Sequence, residues 1–281
     1  MKKSQEEHLE NQDIEIRLLV EAIYQKYGYD FRNYSQAHVK RRILNRFQQS
    51  GLQNISEMTH KALYDIRFVN EILMDLSINV TEMFRDPSFY LALRQSVLPV
   101  LRASPFVKIW HAGCSSGEEV FSMAILLKEE GLLQKTQIYA TDFNPHIIHH
   151  ARKASYPVSR IKEFTVGYQK AGGKRSFSSY YTARDEMATL QESLLKNIVF
   201  ATHNLVTDSV FAEVNLVVCR NVLIYFDRQL QDKVIRLFLD SLSDGGFLCL
   251  GSKENLQFSA HYEEFEPVVE KERIYIKRFS S

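Results

Sequence analysis

Along the first third of the chain, apolar residues recur at helical spacing. Ile14, Leu18, Leu19, Ala22 and Ile23 share one face, and Ile66, Val69, Ile72, Leu73 and Leu76 share another. Between Ile14 and about Leu91 only Gly28, Gly51 and Pro87 break the pattern. The spacing predicts a small all-helical domain over residues 14–88, preceded by a loose polar tail at residues 1–12. The character changes near residue 105. Val107–Trp110 and Ile138–Ala140 are short β-favouring runs, and Ile198–Ala201, Val214–Cys219 and Phe247–Leu250 resemble them. Helical patterns cover Glu118–Glu130, the stretch after Pro145, and Arg228–Leu242. Strands alternating with helices predict an α/β domain over residues 89–281, with a parallel sheet covered on both faces. Glu264–Val269 and Arg273–Lys277, joined by the charged turn Glu270–Glu272, read as a closing hairpin. Residues 155–196 fit this scheme poorly. They hold Ala171-Gly172-Gly173-Lys174 and an aromatic cluster, Phe177, Tyr180 and Tyr181. They read as an excursion from the sheet, either a surface loop with a small hairpin or an element that touches substrate.

Composition narrows the class. The charges nearly cancel, 35 basic against 34 acidic, which leaves little attraction for nucleic acid or a membrane surface. Cys114, Cys219 and Cys249 are odd in number and form no CxxC pair, against a disulfide scaffold or a structural zinc site. The start, MKKSQEEHLENQD, lacks the apolar stretch of a signal peptide, and no window approaches 18 uncharged apolar residues. A cytoplasmic chain that inserts in no membrane is the expectation. His146 and His150 stand four apart, with His149 beside them. Without an HExxH pattern they read as exposed helix residues, so no metal is expected.

The strongest local signal runs from Val107 through Gly113-Cys114-Ser115-Ser116-Gly117 to Glu118-Glu119. A strand enters a tight turn with glycines four apart, and a helix begins at the second. Ligands of open α/β sheets bind beyond the carboxyl ends of the strands. Glycine is needed there, at Gly113, because a side chain would keep a ligand from the backbone. The second strand ends at Asp142, placed to accept hydrogen bonds from both ribose hydroxyls of a nucleoside. Two glutamates in the first helical turn suit the helix dipole but repel phosphate. S-adenosylmethionine (SAM) carries no phosphate but does carry a sulfonium and an ammonium group, so this charge pattern favours SAM over a dinucleotide. Asn204 follows a strand-like run; its amide either reads an adenine edge or forms a turn. Arg220 and Asn221 follow the buried run Val214–Cys219, where reacting groups belong in such sheets, though Arg220 also suits a plain cap of the sheet edge.

These residues together resemble the CheR family of chemotaxis receptor methyltransferases. The resemblance runs from about residue 14 to residue 278. Asn79-Val80-Thr81-Glu82-Met83-Phe84-Arg85-Asp86, the Ser115–Glu119 turn, His203-Asn204-Leu205 and Cys219-Arg220-Asn221-Val222-Leu223-Ile224-Tyr225-Phe226 carry it, in order. It implies a helical N-terminal receptor-recognition domain followed by a Rossmann-like SAM-dependent methyltransferase sheet. Asn79, Thr81 and Arg85 would line the SAM site, Glu119 would hold the methionine moiety, and Asp142 the ribose. Asn204 and Leu205 would contact adenine; Asn221 and the backbone beside Arg220 would complete the pocket. Arg85 and Tyr225 would act near the reaction centre, although Tyr225 also reads as a buried core tyrosine. Met83 stands where the family usually has phenylalanine, and Gly251-Ser252-Lys253-Glu254 lacks a histidine often found there. Some members dock the receptor's C-terminal peptide on a small β-subdomain, and residues 155–196 occupy that place.

The reaction so implied is O-methylation of glutamate side chains on the cytoplasmic helical region of a chemoreceptor, by a monomer, with S-adenosylhomocysteine (SAH) as product. A glutamate is ionised at neutral pH, with a reference pKa of about 4.3, so no general base is required. Arg85 suits either the orientation of the substrate carboxylate through its forked donors or closure over the cofactor. Lys40, Arg42 and Arg46, on the helical pattern Val39–Phe47, read either as a solvated helix face or as a basic stripe; the resemblance favours the stripe, since in the family such a helix meets the acidic receptor. Two other readings of the residues stand beside this one. One is a SAM-dependent transferase for another protein or a small molecule, and the other a SAM-binding regulatory module without turnover.

Overall fold

A computed structural model of the chain describes residues 2–77 and 81–279. Its contacts divide into two compact units, Met1–Ile78 with Ile224–Gln231, and Asn79–Leu223 with Asp232–Ser281.

The first unit is helical. It comprises α1 (Lys2–Tyr27), α2 (Gln36–Ser50), α3 (Ile55–Tyr64) and α4 (Ile66–Leu76). α1 begins at Lys2, so the polar start is helical rather than a loose tail. Glu, Gln, Lys and Leu dominate it and neither Gly nor Pro interrupts it. Its buried face is Ile16, Leu19, Val20 and Ile23; Ile14 and Leu18 lie exposed at 41% and 57%. α4 buries Phe68, Val69, Ile72, Leu73 and Leu76, and leaves Ile66 exposed. Asn54 and Asp65 cap α3 and α4 by accepting the backbone N–H groups of Glu57 and Arg67.

The second unit is built on a sheet. α5 (Pro87–Ala92) continues through a π turn at Leu93–Val97 into α6 (Leu98–Leu101). Then come β1 (Val107–Ala112), α7 (Glu118–Glu129), β2 (Thr136–Asp142) and α8 (Pro145–Arg152). The excursion follows: β3 (Ser155–Pro157), α9 (Ile161–Lys170), β4 (Tyr181–Arg184), β5 (Met187–Leu190) and α10 (Glu192–Leu195). β6 (Ile198–Thr202), β7 (Val214–Cys219), α11 (Arg228–Ser241), β8 (Leu242–Leu250), β9 (Phe265–Val269) and β10 (Ile274–Lys277) complete the chain. Seven strands form one sheet in the order β6-β2-β1-β7-β8-β10-β9. Its first five strands are parallel, and β8, β10 and β9 pair antiparallel, the last two as the expected hairpin. The mixed α/β architecture is thus the one expected from the sequence. Strand order runs outward from β1 to both sides, and this topological switch opens a crevice above its carboxyl end. Register keeps the strand ends level: Ala112 lies opposite Thr141, and Cys219 opposite Leu250.

Residues 81–88 belong to this sheet unit rather than to the helical one. Met83, Phe84, Phe89 and Tyr90 are buried in the same core as Ile109, Phe121 and Ile138. The excursion is more than a loop with a hairpin. β3, β5 and β4 make a three-stranded antiparallel sheet, with α9 in the β3–β4 connection. Phe177 and Tyr180 are core residues, not exposed contact groups. The Glu129 side chain is only 1% exposed. Its carboxylate accepts from the hydroxyls of Tyr168 and Tyr180 and from the Lys174 backbone N–H, and pairs with Arg94. Burial pushes its pKa up, but these donors outweigh it and hold the group below the usual carboxylate range. No described helix is long and apolar enough to cross a membrane.

Glu129→Ala is expected to cost about 3 kcal/mol, because it leaves two buried phenols without their acceptor and removes one of the two carboxylates paired with Arg94. Thermal unfolding should show the loss, at roughly 2–4 °C per kcal/mol for a domain of this size. Arg236→Ala, which breaks an exposed i,i+4 pair with Asp240, should cost under about 0.5 kcal/mol.

Candidate cofactor site

The crevice above β1 is walled by the turn Gly113–Gly117. Gly113 and Gly117 both take the left-handed conformation, at φ 77° and 91°. A Cβ on Gly113 would also meet Val222 Cγ2 at 2.6 Å, so that position requires glycine twice over. The turn is pinned by its neighbour strand: the Gly113 and Cys114 N–H groups both donate to Thr141 O at 2.8 Å.

Asp142 closes β2 and is buried at 8% exposure. Its Oδ2 accepts the Ser115 N–H at 3.0 Å, and its Oδ1 the Asn144 N–H at 3.1 Å. The Phe143 N–H bears on it as well, and a carboxylate has about four lone-pair sites, so its acceptor capacity is not exhausted. Burial raises the Asp142 pKa to about 6, against the pull of those backbone donors.

Glu118 and Glu119 open α7 and meet different fates. Glu118 is 1% exposed. It accepts from the Ser116 hydroxyl at 2.6 Å and from Arg160 Nη1 at 2.7 Å. Burial nevertheless keeps its pKa above the ordinary value. Glu119 accepts from Arg220 Nη1 at 2.8 Å, and its other oxygen lies 3.3 Å from His111 Nδ1. Burial alone would push Glu119 up; the His111 hydrogen bond and the Arg220 charge prevail and hold it below the ordinary range.

Arg220, at the end of β7, has a side chain only 2% exposed. Besides Glu119 it donates to Asp86 Oδ2 at 2.6 Å, and its guanidinium stacks on Phe89 at 4.1 Å from the ring centroid. Burial works against its charge, and the Glu119 and Asp86 carboxylates raise its pKa regardless. Next to it Asn221 adopts φ 61°. The buried Glu254 carboxylate accepts the N–H groups of Asn221 at 3.0 Å, Val222 at 2.9 Å and Gly251. That clasp fixes the loop after β7 and, through Val222, the wall facing Gly113.

The structure therefore brings Gly113, Glu119, Asp142, Arg220 and Asn221 to one edge of one sheet. Thr81 and Arg85 belong to the same unit, and the Arg85 carbonyl lies 3.5 Å from Arg220 Nη1. Asn79 lies outside the described residues. Leu205 is buried at 8%. Asn204 follows β6, and its side-chain carbonyl accepts the Val206 N–H at 3.0 Å, so it does form the turn. Tyr225 falls in the segment grouped with the helical unit. There its carbonyl accepts the Ser35 N–H at 2.8 Å, and its ring meets His38 edge to face at 5.1 Å.

Residues with roles that the sequence did not single out are His111, Asp86, Arg160 and Glu254. Asp86 lay inside a recognised motif without a role. Glu254 stands just past the end of β8, where strand-end acids are worth weighing. His111 alternates inward on β1, and its Nε2 is buried with no partner among the described residues.

The basic stripe of α2 is largely committed within the helical unit. Arg46 pairs with Glu71 at 3.0 Å and with Asp75, and Lys40 with Asp13 at 2.6 Å. Arg46 is half-buried between two acids, which corrects its reading as an open docking charge. Arg42 Nε is buried without a hydrogen-bond partner among the described residues. His146, His149 and His150 are exposed on α8, whose buried face is Ile147, Ile148 and Ala151.

The site fits SAM in its chemistry. Acids with spare acceptor capacity face the crevice, glycine opens the backbone, and the first turn of α7 holds two carboxylates where a phosphate would need N–H groups. Comparisons with known proteins agree. Residues 79–273 match the profile of the CheR methyltransferase SAM-binding domain, and residues 14–73 that of the CheR methyltransferase all-alpha domain. The putative methyltransferase Cher3 of Pseudomonas putida is 53% identical over 267 residues, covering 95% of this chain and 98% of that one. The chemotaxis protein methyltransferase of Listeria innocua is 30% identical, covering 84% and 87%. That of Salmonella typhimurium is 26% identical, covering 90% and 87%. Among solved structures, the N-methyltransferase NodS of Bradyrhizobium japonicum with SAH is 17% identical, covers 61% of this chain and 63% of its own, and has a TM-score of 0.33. A likeness of that depth fixes no detail of the site. With a SAM-binding domain and the accompanying helical domain both matched in order, the chain is a member of the CheR methyltransferase family.

Proposed function

We propose that this chain transfers a methyl group from SAM to glutamate side chains on the cytoplasmic helical region of a chemoreceptor-type protein, acting in the cytoplasm as a monomer. The observation that carries the reading is Asp142: a buried carboxylate at the end of β2, held by backbone N–H groups, at the place where both ribose hydroxyls of a nucleoside would donate. The names of the relatives, chemotaxis protein methyltransferases, support the receptor as substrate.

When bound, SAM supplies a sulfonium-activated methyl group. Asp142 holds the ribose, and Asn204 and Leu205 border the adenine. Gly113, Asn221 and the backbone at Arg220 shape the floor, and Thr81 lines the pocket. Glu119 receives the ammonium end of the methionine moiety, with its charge maintained by Arg220 and His111. Arg85 orients the incoming glutamate by one oxygen and leaves the other free to attack in line; Tyr225, carried over by the family motif, is the second candidate for a role in the transfer. The carboxylate is already ionised, so alignment in a water-poor site is the main rate term, worth several kcal/mol. On the helical unit, Arg42 and Lys40 meet the acidic receptor helix, steering that weakens with salt.

Labelled methyl transfer from SAM to a receptor cytoplasmic fragment, followed by mild alkali, tests the reaction. Methanol release marks carboxyl esters, and Arg85→Ala should lower the yield by about tenfold or more without shifting the melting temperature. Alkali-stable label would move the substrate to nitrogen.

The Asp142 carboxyl gives a pH dependence. It must be ionised to accept both hydroxyls, so SAH affinity should fall as pH drops through about 6. Below that point the dissociation constant should rise about tenfold per pH unit. Because its folded pKa lies above the unfolded value, the same proton stabilises the ligand-free fold below pH 6, so the loss is not acid unfolding. Asp142→Asn should bind weakly with a flat profile; an unchanged slope in that variant would remove Asp142 from the ribose site.

Arg42→Glu should reduce receptor methylation most at low salt while SAH affinity holds. Equal loss of both would mark misfolding instead of docking.

A further inference from the structure

The excursion grips both sides of the cofactor crevice, and one guanidinium does most of the gripping. Arg160 stands between β3 and α9. Its Nη1 donates to Glu118 Oε1 at 2.7 Å, on the first residue of α7. Its Nη2 donates to the Thr81 carbonyl at 2.5 Å. The plane rests on Phe164, 4.7 Å from the ring centroid, which limits its swing. Resting on the SAM reading above, we propose that Arg160 is a positioning residue of the cofactor site: it holds the 81–86 segment at a set distance from the glycine turn.

Three further contacts give that assignment direction. The Tyr156 hydroxyl, on β3, donates to Ser116 O at 2.8 Å, inside the glycine turn. Ser116 in turn donates its own hydroxyl to Glu118, so turn, helix start and Arg160 form one chain of donors and acceptors. On the next turns of α9, Gly167 presses against the segment that Arg160 holds. A Cβ there would stand 3.0 Å from Met83 O and 3.2 Å from Phe84 Cβ, so α9 and the segment meet backbone to backbone. On the far side the Phe84 N–H donates to Ser122 Oγ of α7 at 2.9 Å. The segment is therefore sandwiched between α7 and α9. Arg220 ties the far end of the segment to α7, through Asp86 and Glu119; Arg160 ties its near end, through Thr81 and Glu118.

A fork suits this task where an ammonium does not. The two targets are a carboxylate and a neutral carbonyl on different elements, and planar guanidinium presents separate donors to each in one fixed geometry. A lysine would follow the carboxylate and leave the carbonyl. Arg160 touches neither substrate nor cofactor in this assignment; it acts through Thr81 and the turn.

The alternative is that Arg160 merely neutralises a buried acid. A double substitution separates the two, using the full chain, calorimetric titration with SAH, and thermal unfolding. Arg160→Ala leaves Glu118 buried without its cation and should lower both stability and affinity. Arg160→Ala with Glu118→Gln removes that penalty, and the melting temperature should return to that of Glu118→Gln alone. The dissociation constant for SAH should stay about tenfold above that of Glu118→Gln, ~1.4 kcal/mol. Arg160→Lys should melt near the wild type and still bind SAH several-fold more weakly. The proposal fails if the double variant binds as tightly as Glu118→Gln, or if Arg160→Lys binds like the wild type. Absence of SAH binding by the unaltered chain would sink the cofactor reading itself, a different result from either.

Discussion

The structure depends on a positive charge buried at the carboxyl edge of the sheet. Arg220 is shut from solvent at the end of β7, with Glu119 and Asp86 on its two terminal nitrogens. A guanidinium so placed is tolerable only while both acids stay ionised and in reach. That requirement ties three stretches far apart in sequence: the segment before α5, the start of α7 and the loop after β7. It also explains why residues 81–88 follow the sheet unit. Their apolar side chains enter its core, and Asp86 is drawn in as a counter-ion.

The second anchoring acid works by a different route. Glu254 takes three backbone N–H groups that no strand supplies with acceptors. Such a carboxylate does for an irregular loop what a ladder does for a strand, and it holds Asn221 in a left-handed conformation that most side chains avoid. Arg220 and Glu254 therefore divide the work. The first sets charge around the crevice, and the second sets the backbone beside it.

Much of this was legible in the chain. The alternation of apolar runs gave the parallel sheet, the closing hairpin and the helical patterns, since each depends on local periodicity. The glycine turn and Asp142 were legible because strand ends restrict which residues fit. What failed were choices between equally periodic options. In α1, Ile14 and Leu18 are four apart, as are Ile16 and Val20, and nothing local says which pair faces inward. Phe177 and Tyr180 read as surface loop or contact element because what buries them lies elsewhere in the chain: the ring of Phe177 packs on Phe84, and the Tyr180 hydroxyl donates to Glu129, some fifty residues earlier. Glu254 drew no role because its partners at Asn221 and Val222 stand more than thirty residues earlier, beyond the end of the neighbouring strand β7. Arg46 looked free for the same reason: Glu71 and Asp75 sit on another helix.

The carboxyl groups around the crevice show how placement of cations selects a ligand. Glu118, Glu119 and Asp142 are all buried, and burial pushes each upward. Only Glu119 ends below its ordinary range, because Arg220 and His111 bear on it directly. Asp142 has backbone donors and no cation, so it remains the acid whose charge depends most on what binds. On the proposed assignment, the ligand brings neutral hydroxyl donors to Asp142 and an ammonium to a Glu119 that Arg220 and His111 already keep charged. A phosphate would meet carboxylates at the place where other nucleotide sites offer bare N–H groups. The preference for a cationic, phosphate-free nucleoside thus follows from where two arginines stand, Arg220 and Arg160, and from the absence of any third beside Asp142 among the described residues.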